Sequence, residues 1–144
     1  MADVIGRSSA LAVKDAEDKE EVRPGYAYFA PPNYHLLEER NGSLALSVDG
    51  KVNWSRPSID VLFESAVYAF APALIGVILT GASSDGARGI RLIKEHGGLT
   101  IAQDPVTAAH PEMPQAAIDT GSVDKVLTLK EIGELIKEFG AKGA

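Results

Sequence analysis

Asp85 stands out among the residues able to do chemistry. It lies in Leu79-Thr80-Gly81-Ala82-Ser83-Ser84-Asp85-Gly86-Ala87-Arg88-Gly89, a small-residue stretch that follows the apolar run Leu74-Ile75-Gly76-Val77-Ile78 and precedes a helical pattern. A carboxylate beyond the carboxyl end of a strand and ahead of a helix sits where open α/β sheets collect ligands and catalytic groups. Two roles suit it. An Asp just before a helix is a preferred N-cap, accepting orphan backbone N–H groups and complementing the helix dipole, and spacing alone favours that role. The same carboxylate could hold the second nitrogen of a catalytic imidazole, and one role does not exclude the other.

Other chemistries find less support. Gly81 and Gly86 have the spacing of a phosphate loop, but Ala87-Arg88 stands where Lys-Ser/Thr would have to be, so the phosphate lysine and the magnesium hydroxyl are missing. No Gly-x-Gly-x-x-Gly follows a strand. His35, His96 and His110 are scattered without metal-ligand spacing, which argues against a metal site. His96 is most simply a charge complement at a helix C-terminus. His110 opens the irregular run His110-Pro111-Glu112-Met113-Pro114, expected beside Asp85 on the same sheet edge. Ser58 stands at a helix start, where serine is common for capping reasons alone. No Gly-x-Ser-x-Gly nucleophile elbow occurs.

The elements that must position these groups follow from periodicity. Tyr26 to Ala30 reads as a strand. His35 to Arg40 and Ser43 to Val48 flank Asn41-Gly42, a pair that suits a type I′ hairpin turn. Ile59, Leu62, Phe63, Ala66, Val67 and Phe70 recur at helical spacing. Pro57 is expected in that helix's first turn, and the helix should stop before Pro72. Leu74 to Thr80 is then a strand too uniformly apolar to face water on either side. A helix over 86–96 ends at Gly97-Gly98. Leu99 to Ala102 forms a strand, 103–107 a loop, 114–119 a short helix, and Lys125 to Leu127 a last strand. Thr128 and Glu131 make a capping box for a closing helix, whose apolar face is Ile132, Leu135, Ile136 and Phe139 down to Gly140. The charge run Asp15 to Glu21 reads as a solvated connection. The pattern predicts a doubly wound α/β fold: a mostly parallel sheet flanked by helices, with one antiparallel hairpin.

Composition sets the outer limits. A chain of 144 residues, 45% hydrophobic, is expected to form one domain over 1–144. A net charge of −6 disfavours a nucleic-acid partner. The absence of cysteine removes disulfides and thiol chemistry. No signal peptide or membrane span is legible, so a cytoplasmic location is expected. Asn41-Gly42-Ser43 and Asn53-Trp54-Ser55 match the glycosylation sequon and carry no chemistry without secretion.

Four separated motifs, in order, resemble the chemotaxis protein-glutamate methylesterase family of the CheB type. Pro24-Gly25 through Ala30-Pro31 and His35 is similar to that family's Pro-Gly…Ala-Pro…His segment, and Arg56-Pro57-Ser58-Ile59-Asp60 to its Arg-Pro-Ser-x-Asp signature. Leu79-Thr80-Gly81 with Asp85-Gly86, and Gln103-Asp104 with Met113-Pro114, match two further motifs. The resemblance implies a Ser-His-Asp hydrolase that removes methyl esters from chemoreceptor glutamates and, in some members, deamidates glutamines. It implies that Asp85 is the triad acid, that Thr80, Gly81, Ala82, Gly86, Met113, Pro114, His35 and Ser58 line the active-site loop and pocket, and that no metal or organic cofactor takes part. The implied partners are methylated chemoreceptor cytoplasmic regions, with a receiver domain or signalling partner and self-association left open.

The departures from the family pattern carry equal weight. The family's serine turn and histidine precede the segment matched here. Val4-Ile5-Gly6-Arg7-Ser8-Ser9 aligns poorly with that turn, because Ala10-Leu11 replaces its two glycines. The stretch from Ala2 to Val13 is read instead as a helix end leading to a strand, with Ser8 a false match. Ala82 replaces a methionine, and Glu112 a glycine. The expectation is a methylesterase domain that keeps the Asp but lacks nucleophile and base, shows little or no esterase activity alone, and exposes a sheet edge that drives association. The alternative is a non-catalytic module that binds a receptor tail or signalling partner.

Overall fold

A computed structural model describes residues 11–143. Ser8, and most of the stretch expected to lead into the first strand, lie outside the described residues. Strands β1 (Ala12–Asp15) and β2 (Tyr26–Phe29) pair in parallel, with Ala12 opposite Tyr26. Strands β3 (His35–Glu38) and β4 (Leu44–Ser47) form the expected antiparallel hairpin. Helix α1 (Ile59–Phe70) leads to β5 (Ile75–Ile78), and helix α2 (Ala87–Glu95) to β6 (Leu99–Gln103). Helix α3 (Glu112–Asp119), strand β7 (Lys125–Leu127) and helix α4 (Leu129–Gly143) complete the chain. Strands β5, β6 and β7 form a parallel sheet in that order.

The helical spacing of α1 lets one helix serve two apolar clusters. Leu62 packs against Ala16, Leu36 and Leu44, whereas Ile59 and Phe63 pack against Ile78, Ile90 and Ala117. Fully buried Ile78, Ile90, Ile93 and Ile101 anchor the α/β layer, each contributing about 1.5–3 kcal/mol of burial.

Several local expectations are corrected. The hairpin turn is not type I′: Gly42 has φ +86°, and Asn41 is not among the positive-φ residues. The Gly42 N–H donates to the Glu39 carbonyl at 2.9 Å and the Glu39 N–H to the Ser43 carbonyl at 2.8 Å. The loop is thus a turn centred on Arg40-Asn41 closed by one left-handed glycine, the three-residue hairpin solution. Asn41 Oδ1 instead accepts from the Ser43 N–H and hydroxyl, at 3.0 and 2.7 Å.

The acidic run from Asp15 is largely solvated, as expected, but it is tied to the fold at three points. Asp15 closes β1, Ala16 is buried, and Asp18 Oδ1 accepts the Leu46 N–H at 2.9 Å. Pro57 stands ahead of the N-cap Ser58 rather than within the first turn. Strand β5 is not covered on all sides: among the described residues it pairs with β6 alone, and Ile75 and the following Leu79 are exposed. In place of an irregular loop, 105–107 form a 3₁₀ turn, and α3 begins at Glu112, two residues earlier than expected.

The capping box is present, with the Thr128 N–H on Glu131 Oε1 at 3.0 Å and the Glu131 N–H on Thr128 Oγ1 at 3.2 Å. Of the expected apolar face of α4 only Ile132 is buried, while Ile136 and Phe139 are exposed. The helix also runs past Gly140 to Gly143. As expected, His96 closes α2, its Nδ1 bonded to the Leu92 carbonyl at 2.8 Å, and Gly97 follows at φ +88°.

Candidate active site

Asp85 is 3% exposed and carries four donors. Its Oδ1 accepts from Ser58 Oγ at 2.8 Å, Asn53 Nδ2 at 2.9 Å and the Asp60 N–H at 3.2 Å, while Oδ2 accepts the Ile59 N–H at 2.7 Å. Ile59 and Asp60 are the first two residues of α1. Asp85 is therefore a helix cap, but not of the helix it precedes: the N-cap of α2 is Gly86, which provides no side chain.

The N-terminus of α2 is capped from the other direction. Asp60 Oδ1 accepts the N–H of Gly89, the third residue of α2, at 2.7 Å. The loop leading into α2 thus holds the first turn of α1, and α1 holds the first turn of α2, each through a buried carboxylate placed at the positive end of a dipole. Asn53 Nδ2 joins the two, reaching Asp60 Oδ2 at 2.7 Å as well as Asp85. Both amide hydrogens are used. Ser58, nominally the N-cap of α1, gives its hydroxyl to Asp85 and makes no cap bond itself.

Gly86 permits this arrangement. It lies at φ +98°, and a Cβ there would stand 2.4 Å from Ile78 Cδ1, so the chain turns from β5 into α2 with the Asp85 carboxylate directed at α1.

His35, Ser58 and Asp85 are all buried side by side, yet they do not form a catalytic triad. His35 Nδ1 accepts the Ser58 backbone N–H at 3.2 Å, and Nε2 bonds the Gly50 carbonyl at 2.9 Å. That network assigns the proton to Nε2. The imidazole makes no hydrogen bond to Ser58 Oγ, which donates straight to a carboxylate. A serine so placed has no base to activate it.

The remaining predicted residues frame the loop. Thr80 N–H donates to buried Gln103 Oε1 at 3.0 Å. Thr80 Oγ1 accepts the His110 N–H at 2.8 Å, and the Gly81 N–H donates to the His110 carbonyl at 2.9 Å. His110 therefore enters through its backbone. The Met113 N–H donates to the Gly81 carbonyl at 3.0 Å, and a Cβ on Gly81 would lie 2.1 Å from Met113 Sδ. Pro114 is buried. Ala82 stands exposed in the same loop. Asn53, Asp60 and Gln103 were not singled out as site residues by sequence reasoning. Asn53 is missed because its partners lie 7 and 32 positions away; a positive φ of 53° at an Asn is the local signal. Among the described residues no cluster of three or more His, Cys, Asp or Glu is placed to hold a metal ion.

The family model for CheB methylesterase matches residues 1–136. The chain belongs to the CheB methylesterase family. A relative from Leptospira interrogans, whose name assigns it to the protein-glutamate methylesterase/protein-glutamine glutaminase class, is 55% identical over 132 residues, covering 92% of this chain and 68% of its own length. The protein-glutamate methylesterase/protein-glutamine glutaminase of Archaeoglobus fulgidus is 41% identical, covering 96% of this chain and 41% of the relative. Protein-glutamate methylesterase FrzG of Myxococcus xanthus is 40% identical, and the match takes in 42% of that protein.

Among solved structures, the CheB methylesterase catalytic domain of Thermotoga maritima superposes with a TM-score of 0.90 at 38% identity. It covers 96% of this chain, and the match spans 75% of that domain. The mostly parallel α/β fold is accordingly that of CheB-type domains. No helix among the described residues is long and apolar enough to cross a membrane.

Proposed function

We propose that this chain is a single CheB-type domain that contributes the acid of a protein-glutamate methylesterase site, with Asp85 as that acid. The observation that carries the reading is the state of its carboxylate. Oδ1 is taken by three donors, whereas Oδ2 has one among the described residues, and a carboxylate oxygen accepts about two. One lone pair of Oδ2 thus remains to receive an imidazole N–H, on a carboxylate that its four donors hold in place.

In that role Asp85 fixes the tautomer of a catalytic histidine and stabilises the imidazolium formed as a serine Oγ attacks the glutamyl ester carbonyl. The imidazolium then returns its proton to the departing methoxide, releasing methanol. The acyl-serine is hydrolysed by water through the same groups. The substrate is a methylated chemoreceptor segment and the setting is the cytoplasm. Neither nucleophile nor base is provided by Ser58 and His35, whose hydrogen bonds are committed elsewhere.

The test is methanol release from a methylated chemoreceptor by the purified chain, beside Asp85→Ala. We expect no turnover from either protein. Adding a segment that carries the serine and histidine of a CheB-type relative should restore turnover with the wild-type chain and not with the variant. Turnover by the chain alone that Asp85→Ala abolishes would place a nucleophile within it, Ser8 included, and overturn the reading that the chain contributes the acid without nucleophile and base.

A further inference from the structure

Residues 52–55 form a two-residue turn, with the Val52 N–H on the Ser55 carbonyl at 3.0 Å and the Ser55 N–H on the Val52 carbonyl at 2.9 Å. Both central residues are left-handed, Asn53 at φ 53° and Trp54 at φ 65°. Type I′ turns ask for this geometry and favour glycine at the second position. A tryptophan there is strained, because its Cβ crowds the backbone.

Trp54 gains no burial in return, being 95% exposed. It is the chain's single tryptophan. One exposed apolar residue is ordinary by itself. A bulky residue that is both strained and fully solvated is not, since glycine would relieve the strain and polar residues the exposure. Strain held in place by its surroundings is the mark of a functional constraint.

The surroundings do hold it. The preceding residue, Asn53, is fastened to Asp85 and Asp60. The chain on either side is pinned by Arg56 Nη1, which donates to the Val48 carbonyl at 3.0 Å, and by His35 Nε2 on the Gly50 carbonyl at 2.9 Å. The indole therefore stands on a fixed turn one residue from the side chain that grips the candidate acid. An aromatic side chain with two rotatable bonds, carried on a fixed turn, loses little entropy on contact, which suits it to take an apolar surface.

We propose that Trp54 is a specificity-determining residue that receives the apolar side chains flanking the reacting glutamate on the substrate polypeptide. The proposal rests on the methylesterase reading and names the contact that orients the substrate at that site.

The test uses the chain as it stands and a helical peptide carrying one glutamate 5-methyl ester between apolar residues. Because Trp54 is the only tryptophan, its emission reports the contact directly. Binding should shift that emission to the blue and saturate. Trp54→Gly should weaken binding about tenfold or more, as loss of an aromatic anchor does, while melting at the same or a higher temperature because the turn is relieved. Trp54→Phe should recover most of the affinity. Equal affinity of wild type and Trp54→Gly, with unmoved emission, overturns this proposal and leaves the methylesterase reading standing. Failure of both proteins to bind the ester peptide overturns that reading, and the proposal with it.

Discussion

Asp60 and Asp85 cap each other's helices: Asp85 accepts the Ile59 and Asp60 N–H groups that open α1, and Asp60 accepts the Gly89 N–H in the first turn of α2. Two buried carboxylates lie close enough to share the amide of Asn53, at 2.7 and 2.9 Å, and each is stabilised by the helix it does not belong to. The electrostatic cost of placing them together is offset by the positive helix ends and by every donor in reach.

Replacing Asp85 should therefore damage the fold before it damages any reaction. Asp85→Asn turns an amide toward N–H donors that need an acceptor, and should cost about 2–3 kcal/mol. Ser58→Ala removes one of four donors and should cost about 1 kcal/mol. Urea denaturation of the two variants checks the order. An Asp85→Asn protein as stable as wild type would contradict the cap.

Asn53→Asp places a third carboxylate against the first two. The like charges disfavour the ionised form of the introduced carboxyl in the folded protein, so its protonation favours folding. The variant should be less stable than wild type at pH 7 by about 2 kcal/mol or more and should regain stability as pH falls toward 5, a trend opposite to ordinary acid unfolding. Melting temperatures across that range decide it.

Glu38 gives a second pH dependence with a different origin. Its Oε2 is buried with no hydrogen-bond partner among the described residues, and burial pushes the carboxyl up to about 7. The folded state then binds more protons than the unfolded state between the ordinary Glu value and about 7. The Glu38 contribution to stability is thus retained at acid pH and lost as pH rises through that window. Glu38→Gln should flatten the dependence and stabilise the protein at pH 8 by about 1 kcal/mol, a figure reduced because the residue is only partly buried. Chemical denaturation at pH 5 and pH 8 measures both effects.

Gly86→Ala tests the turn that aims Asp85. A Cβ at φ +98° is strained and would meet Ile78 Cδ1 at 2.4 Å and Ile59 Cγ2 at 3.2 Å. The expected loss is about 2 kcal/mol or more. A neutral result would show that the loop can be re-routed without moving the carboxylate.

What the sequence discloses about this molecule is mostly what is local. The β5 run, the α1 stripe and the Thr128/Glu131 box are decided by residues within a few positions of one another, and they stand in the structure where periodicity puts them. The Asn41-Gly42 hairpin was legible, but not its turn, because Asn41 spends its side chain on Ser43 and leaves only Gly42 left-handed. Asp85 was legible as a cap by type and position. Its target was not: the helix it caps begins 26 positions earlier, and no spacing rule links a carboxylate to an N–H across an intervening strand. The role of Asn53 was hidden for the same reason. Trp54 gave no signal, since strain is a property of φ and not of composition.

The swapped caps also bear on how the protein breathes. Neither first turn has a local stop to its fraying: Gly86 has no side chain to offer, and Ser58 has spent its hydroxyl on Asp85. Opening either turn withdraws the acceptor on which the other depends. The amides of Ile59, Asp60 and Gly89 therefore belong to one cooperative unit, and should exchange with solvent at a single rate even though most of a helix and a strand separate them in the chain.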